Sequence, residues 1–385
     1  MNVLRVGLFT ECYHPIRNGI VASLDALSFA LRARGHDAIF VTPEMPGYRD
    51  ASDDVVRVPS LPLPTRTSYR LTVPYLSKAQ SFSIVHTHSP FITGWLGARV
   101  ARRTNVPLVF TYHTQLEEYA HYVPFEARAT RTAASQLTRS YANAAGAVIV
   151  PTLSMRARLR DLGVRTRIEV VPSGIDVALF ARGRRSDALR RRLGVAPGES
   201  MILSVGRLGR EKNLELAIEA FAKLGDAAAR LVIIGDGPHR EALERFAARA
   251  GVAARTTFAR EFDRSALPDA YASADAFVFT SVSETQGLVL VEALAAGARV
   301  VAVDTPQTRE VLGGAAEIVR SDAAALAAAL ERTLASSGAP PENDAVARRF
   351  DAVAVGDRMI ALYQDLLHAR APERLAAIGA ATARL

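Results

Sequence analysis

The sequence predicts an α/β fold made of two doubly wound parallel sheets in succession. Three observations carry that expectation. Short apolar strands alternate with helical patterns along the chain, the signature of βαβ units. The series restarts at Met201-Ile202-Leu203-Ser204-Val205-Gly206, after an Arg-rich, weakly apolar stretch ending near Pro197. The chain has 385 residues, 49% of them apolar, enough for two buried cores.

The first half opens on a strand at 3–9, followed by a helix over 19–34. Further strands are expected near 38–42, 84–88, 107–111 and 147–150, with helices near 93–103, 126–143 and 153–161. Pro59-Ser60-Leu61-Pro62-Leu63-Pro64-Thr65-Arg66 lacks too many backbone donors for an interior element and reads as an exposed loop. A boundary falls near Val171-Pro172-Ser173-Gly174. The second half gives strands near 201–206, 230–234, 256–258, 275–280 and 299–303, and helices near 213–224, 238–250, 265–271 and 288–296. Residues 321–335 and 342–368 read as helical, and 371–385 as an Ala-rich helical tail.

Composition narrows the function. No run of 18 uncharged apolar residues occurs, so no membrane-spanning helix is expected. Met1 leads straight into a strand-like segment, so no signal peptide is expected. Cys12 is the only cysteine, which excludes an internal disulfide and fits a reducing cytoplasm. Net charge is +8, and residues 1–175 hold 20 Lys+Arg against 12 Asp+Glu. The whole excess therefore lies in the first half, which suggests an anionic partner. Only Lys78, Lys212 and Lys223 are lysines. Coding bias explains arginine over lysine, but not the asymmetry. Aromatic–basic interleaving and zinc spacing are both lacking, so nucleic acid is not the expected partner.

Several strand ends carry chemistry. Ser283-Glu284-Thr285-Gln286-Gly287-Leu288-Val289-Leu290-Val291-Glu292 joins a strand to a helix through a glycine turn, the place where open α/β sheets bind ligands. Glu284 and Glu292 would face the crevice. Gly206-Arg207-Leu208-Gly209-Arg210-Glu211-Lys212-Asn213 puts two cations beside a helix start capped by Asn213: a phosphate site without metal, or a solvated basic turn. Gly235-Asp236-Gly237-Pro238 permits close backbone approach, or is an ordinary tight turn. Gly19 brings backbone N–H groups near an anion, but no GxGxxG fingerprint accompanies it. His113 ends a strand, where it could orient a hydroxyl, handle a proton or be structural. His86 and His88 share a strand face; hydrogen bonding fits them better than metal, for want of a third ligand.

Together these segments resemble the family 4 retaining glycosyltransferases. Tyr13-His14-Pro15 with Gly19, Gly35-His36, His88, Thr111-Tyr112-His113-Thr114, Pro172-Ser173-Gly174-Ile175-Asp176 and the second-half motifs above carry the likeness over nearly the whole chain. The resemblance implies the GT-B architecture: two Rossmann-like domains facing a central cleft. It implies an acceptor domain over 1–173, a nucleotide-sugar domain over 174–355, and terminal helices over 356–385 packing back on the first domain. It implies no cofactor and no metal, with a nucleotide-diphosphate-sugar as donor: UDP-glucose first, GDP-mannose as the alternative. Arg207 and Lys212 would neutralise the diphosphate, and Glu284 would face the donor sugar. Gln286, Gly287, Leu288, Val289, Gly235, Asp236, Gly237 and Arg260 would line the donor, and Glu292 would hold the ribose. Gly19 would approach the diphosphate, and His113 a sugar hydroxyl. Retention is expected through front-face attack, with a covalent glycosyl-enzyme as the lesser alternative. Asn18, Ser173 and Ala259-Arg260 depart from the family pattern, and the last leaves the base open.

The run from Thr111 to Tyr122, with Glu284 to Val289, resembles the subgroup that glycosylates diacylglycerol. Such an acceptor calls for an anionic membrane surface. That implies a peripheral, cytoplasmic enzyme at the inner face of the plasma membrane. Candidate cations are Arg66, Arg70, Arg99, Arg102 and Arg103, with Arg156, Arg158 and Arg160 on another helix, and 62–71 as an insertion loop. A soluble sugar, a phosphoinositide or a polysaccharide intermediate is the alternative acceptor. An idle sugar-binding relative is disfavoured by the intact charged residues.

Overall fold

The computed structural model describes residues 3–63, 69–76, 80–122, 126–336 and 338–382. The chain forms two compact units, one of residues 1–174 with 352–385, the other of residues 175–351.

The first unit holds β1 (Arg5–Phe9), β2 (Asp37–Pro43), β3 (Val55–Val58), β4 (Ser60–Pro62), β5 (Arg70–Thr72), β6 (Ile84–Thr87), β7 (Leu108–Thr111), β8 (Ala147–Val150) and β9 (Ile168–Val170). Its helices are α1 (Gly19–Ala33), α2 (Ile92–Thr104), α3 (Ala127–Ala144) and α4 (Leu153–Asp161). The parallel sheet runs β3-β2-β1-β6-β7-β8-β9, so the order reverses between β1 and β6. Strand period explains the two cores. Val6, Leu8 and Phe40 pack with Leu24 and Leu31 of α1, while Phe9, Val41 and Phe110 pack with Leu96 of α2 and Tyr141 of α3. Each such fully buried side chain contributes about 1.5–3 kcal/mol. The short edge strands β3 and β9 escape sequence periodicity. So does the ribbon in which Ser60–Pro62 pairs antiparallel with Arg70–Thr72; a two-stranded ribbon outside the main sheet tolerates the prolines.

The second unit holds β10 (Ser200–Val205), β11 (Ala229–Ile234), β12 (Thr256–Ala259), β13 (Ala276–Phe279), β14 (Val300–Val303) and β15 (Ala316–Val319). Its helices are α5 (Val177–Ala181), α6 (Asp187–Arg192), α7 (Leu214–Ala222), α8 (Arg240–Arg249), α9 (Leu267–Ser273), α10 (Leu288–Ala295), α11 (Pro306–Leu312), α12 (Ala323–Ala335) and α13 (Glu342–Arg348). The sheet order is β12-β11-β10-β13-β14-β15, reversing between β10 and β13. Leu203, Ile234 and Phe277 face Leu290 and Leu294 of α10, while Ile202, Ile233 and Val278 face Phe221 of α7 and Leu330 of α12.

The final helix, α14 (Ala352–Thr382), belongs to the first unit. The helix expected over 342–368 is divided at residues 349–351, because the Phe350 carbonyl accepts the Ile175 N–H at 2.8 Å. The return to the first unit comes at Ala352, ahead of the expected 356. Val355, Met359, Ile360 and Tyr363 enter its core, and Arg34 clamps Asp357 with bonds of 2.7 and 2.8 Å.

Candidate active site

The second sheet brings Arg207, Lys212, Glu284 and the 286–289 turn to one place, the carboxyl edge where strand order reverses. The loops after β10 and β13 are tied together there. Thr280 Oγ1 donates to the Lys212 carbonyl at 2.9 Å, and Ser281 Oγ to the Glu211 carbonyl at 3.0 Å. Lys212 Nζ donates directly to Glu284 Oε1. Their side chains are 24% and 22% exposed, so both charges can meet a ligand. Arg207 Nη1 lies 3.5 Å from buried Glu211 Oε1, with the guanidinium side 44% exposed. Asn213 does not cap α7 as expected. It sits in the left-handed region at φ 50° with no side-chain cap bond, and it turns the chain sharply at this point.

Gly287 also takes a left-handed conformation, at φ 83°, and opens α10, whose N-terminus no side chain caps. Its first-turn amides, from Leu288 and Val289, and its positive dipole end are suited to an anion. Gln286 is buried beside it.

Glu292 lies deeper, on α10, and both of its oxygens have partners. Tyr271 Oη donates to Oε2 at 2.9 Å, and Arg264 Nη1 stands 3.2 Å from Oε1. Burial pushes the Glu292 carboxyl above its ordinary range, while Arg264 and the Tyr271 hydroxyl pull the other way. Arg264 also covers the Phe180 ring at 5.4 Å. Neither Arg264 nor Tyr271 was anticipated, because a single arginine after an edge strand and a core tyrosine leave no pattern in sequence.

The glycines after β11 have an internal explanation. A Cβ on Gly235 would sit 1.9 Å from the Gly206 carbonyl oxygen, and one on Gly237 would sit 2.4 Å from the Leu208 carbonyl oxygen. These residues let two backbone loops pack together. Asp236 Oδ1 accepts the Gly237 N–H at 2.8 Å, and its other oxygen lies 3.8 Å from exposed Arg260.

In the first unit, Gly19 is the first residue of α1, and Asn18 caps that helix by accepting the Val21 N–H at 2.9 Å. This accounts for asparagine at a position where the family pattern has glycine. His113 follows β7 and its Nε2 lies 2.8 Å from His88 Nδ1. Burial lowers His113 to about 4, and burial with neighbouring His113 lowers His86 to about 3. Burial, with His86 and His113 beside it, also holds His88 well below its ordinary value, so all three rings are neutral at physiological pH. Glu11, after β1, went unnoticed in sequence. It accepts the Thr93 N–H at 2.6 Å and hydroxyls from Thr93 and Thr72 at 2.8 and 2.9 Å, joining the ribbon to α2. Burial raises its carboxyl.

The arginine candidates divide. Arg99, Arg102 and Arg103 are exposed on α2. Arg70 instead turns back on its own ribbon, donating to Ser60 Oγ at 2.8 Å and to the Ser60 carbonyl at 3.2 Å. Arg158 pairs with Glu117 and Glu118 at 2.6 and 3.2 Å. Arg160 donates to the Val164 and Thr166 carbonyls at 2.7 and 2.9 Å. All three have bonding partners within the fold; Arg160 remains exposed, whereas Arg70 and Arg158 are half-buried. Arg66 lies outside the described residues. Among the described residues, no group of three His, Cys, Asp or Glu could hold a metal ion, and no helix is long and apolar enough to cross a membrane.

Comparison with known proteins identifies the family. The family model for Glycosyltransferase Family 4 matches residues 17–179, and that for Glycosyl transferases group 1 matches residues 185–348. The chain is 32% identical to an alpha-monoglucosyldiacylglycerol synthase of Streptococcus pneumoniae, over 80% of this chain and 73% of that protein. It is also 32% identical to a GDP-mannose-dependent alpha-mannosyltransferase of Mycobacterium tuberculosis, over 80% of this chain and 81% of that one. In fold it is similar to a sucrose-phosphate synthase from Thermosynechococcus elongatus, with a TM-score of 0.77, 22% identity, and coverage of 95% of this chain and 100% of the other. With two Rossmann-like sheets of GT-B type and relatives of this kind, the chain belongs to glycosyltransferase family 4 and is a retaining hexosyltransferase.

Proposed function

We propose that this enzyme transfers glucose from UDP-glucose to a diacylglycerol-type lipid at an anionic membrane surface, without a metal ion. The observation that carries the donor half is the Lys212–Glu284 contact beside the uncapped start of α10. The diphosphate takes up negative charge as the glycosidic bond breaks. Arg207, Lys212 and the α10 amides are fixed charges and dipoles suited to receive it. Glu284 faces the positive charge that grows at the anomeric carbon. Glu292, anchored by Tyr271 and Arg264, is an acceptor for ribose hydroxyls, and His113 bonds a sugar hydroxyl. The acceptor oxygen attacks from the face the diphosphate leaves, and its proton passes to a leaving phosphate oxygen. The products are the retained glycoside and the nucleoside diphosphate.

The lipid half rests on α2 and on the relatives. Phe91, Trp95, Arg99, Arg102 and Arg103 are all exposed, and their spacing puts them on one side of the helix. Aromatic side chains at one end and cations at the other suit a bilayer interface with anionic headgroups. The neighbouring ribbon exposes Leu61, Tyr69 and Leu71, and Thr72 Oγ1 meets Thr93 Oγ1 at 2.8 Å. The Streptococcus pneumoniae relative is by name a glucosyldiacylglycerol synthase. Such an enzyme works as a peripheral protein on the cytoplasmic face of the plasma membrane.

The test is a transfer assay with UDP-glucose and diacylglycerol in vesicles containing anionic lipid. Glucosyl-diacylglycerol as the main product supports the proposal. Transfer only to a soluble sugar overturns the acceptor. A second reading, GDP-mannose as donor, draws on the mannosyltransferase relative; preferential turnover of GDP-mannose in the same assay selects it.

A further inference from the structure

The helix α2 starts without a cap of its own. The position before its first turn is Phe91, whose side chain has no acceptor for the first-turn amides and which is 45% exposed. Serine, threonine, aspartate or asparagine normally fills that position. Glu11, arriving from the end of β1, takes over the task. Its Oε1 accepts the Thr93 N–H, the second amide of the helix, at 2.6 Å. An acidic side chain there also suits the positive pole of the helix dipole. Its Oε2 accepts the hydroxyls of Thr93 at 2.8 Å and of buried Thr72 at 2.9 Å. Thr72 ends the second strand of the ribbon. One side chain therefore fastens the loop after β1, the start of α2 and the ribbon.

Moving the cap onto another element releases position 91 for an apolar ring. Phe91 and Trp95 then lie one turn apart on the exposed side of α2, ahead of Arg99 and Arg103. On the ribbon, strand alternation turns Thr72 inward to Glu11 and Leu71 outward, where it is 42% exposed. A two-stranded ribbon has little stability of its own, so its placement depends on ties of this kind. Asn18 adds another, its Nδ2 donating to Tyr69 Oη at 3.2 Å.

We propose that Glu11 is a positioning residue for the lipid acceptor: it holds the aromatic end of α2 and the outer face of the ribbon as one edge, along which diacylglycerol enters. Glu11 acts through Thr72 and Thr93 rather than by touching substrate. The inference rests on the lipid-acceptor reading in the proposed function and adds the residue that sets the geometry of that edge.

The full chain and its variants Glu11→Ala, Glu11→Gln and Thr72→Val test this in two arms. Amide hydrogen exchange without lipid reads the fastening itself. Glu11→Ala should speed exchange in both the ribbon and the first turn of α2, and Thr72→Val in the ribbon alone. The second arm is transfer from UDP-glucose, or from GDP-mannose where the parent prefers it, to dioleoylglycerol in vesicles of phosphatidylcholine and phosphatidylglycerol. Glu11→Ala should raise the KM for dioleoylglycerol about tenfold, the scale of one hydrogen bond, with kcat and donor KM unchanged. Glu11→Gln, whose Oε1 still accepts the Thr93 N–H, should recover most of that loss, and Thr72→Val should show a smaller rise. Unchanged exchange in Glu11→Ala, an unchanged acceptor KM, or equal damage to both substrates' KM and to kcat overturns the positioning role. If Glu11→Ala does not fold, Thr72→Val decides by the same two readouts. A parent that transfers nothing to dioleoylglycerol overturns the acceptor reading and this role with it, whereas an active parent with unaffected variants overturns this role alone.

Discussion

Tyr271 and Glu292 meet at 2.9 Å, the phenol donating to a carboxylate oxygen deep in the second unit. The contact fixes an acidic side chain whose other oxygen is held by Arg264. Removing the phenol tests whether that fixation matters. Tyr271→Phe leaves one buried oxygen short of a bond, at a cost of about 1–3 kcal/mol. The expected outcome is a lower melting temperature and a raised donor KM with kcat little changed. An unchanged KM would dissociate Glu292 from donor binding.

Lys212 offers a cleaner test, because it is partly exposed and its loss leaves no buried charge. Lys212→Ala should lower kcat/KM for the nucleotide sugar by roughly a hundredfold or more, with the melting temperature nearly unchanged. Activity within threefold of the parent takes Lys212 out of the phosphate site. Arg207→Ala should behave alike.

Transfer should persist in EDTA, since fixed cations and helix amides supply the charge that the leaving diphosphate requires. Full loss, restored by added Mg²⁺, contradicts that account.

Vesicle binding should follow the exposed side of α2. Replacing Arg99, Arg102 and Arg103 together by Glu should abolish co-sedimentation with anionic vesicles, and Trp95→Ala should weaken it. Added salt should weaken binding of the parent as well. Equal binding to neutral and anionic vesicles sinks the electrostatic part of the proposal.

Stability of the first unit should fall with acid. His86, His88 and His113 have folded-state values below the ordinary 6.5, at about 3 for His86 and about 4 for His113. The unfolded chain therefore binds more protons once pH drops below about 6.5. Their stabilising effect is complete above that value and is lost progressively toward pH 4. The slope is at most about 1.4 kcal/mol per pH unit for each histidine. Calorimetry at pH 7.5 and 5 should show the drop, and a flat profile would mean the rings protonate without cost.

Much of the fold was legible because both sheets are buried on two faces, which leaves apolar runs such as Met201–Val205 in plain view. The edge strands β3, β9 and β15, mostly half-buried, lack that contrast and do not stand out in the sequence, whereas the equally half-buried edge strand β12 does at 256–258. Glu284 and Lys212 stand out in sequence because turn glycines and charges cluster at strand ends, and the structure brings the two side chains into contact. What escaped was partnership: Arg264 and Tyr271 around Glu292, His88 against His113, and Glu11 bridging the ribbon and α2. Such pairings join residues from separate elements, and local pattern does not encode them. The same limit hides the bonding of Arg70, Arg158 and Arg160, whose charge is visible in sequence but whose partners are not.

Because Val355, Met359, Ile360 and Tyr363 complete the core behind β1 and β6, synthesis imposes an order on assembly. The whole of residues 175–351 must leave the ribosome before that sheet receives its last cover. At a usual rate of about 5–20 residues per second, the nascent amino-terminal portion waits on the order of ten to thirty-five seconds with an oily side unshielded. During that interval it is a natural client for a chaperone.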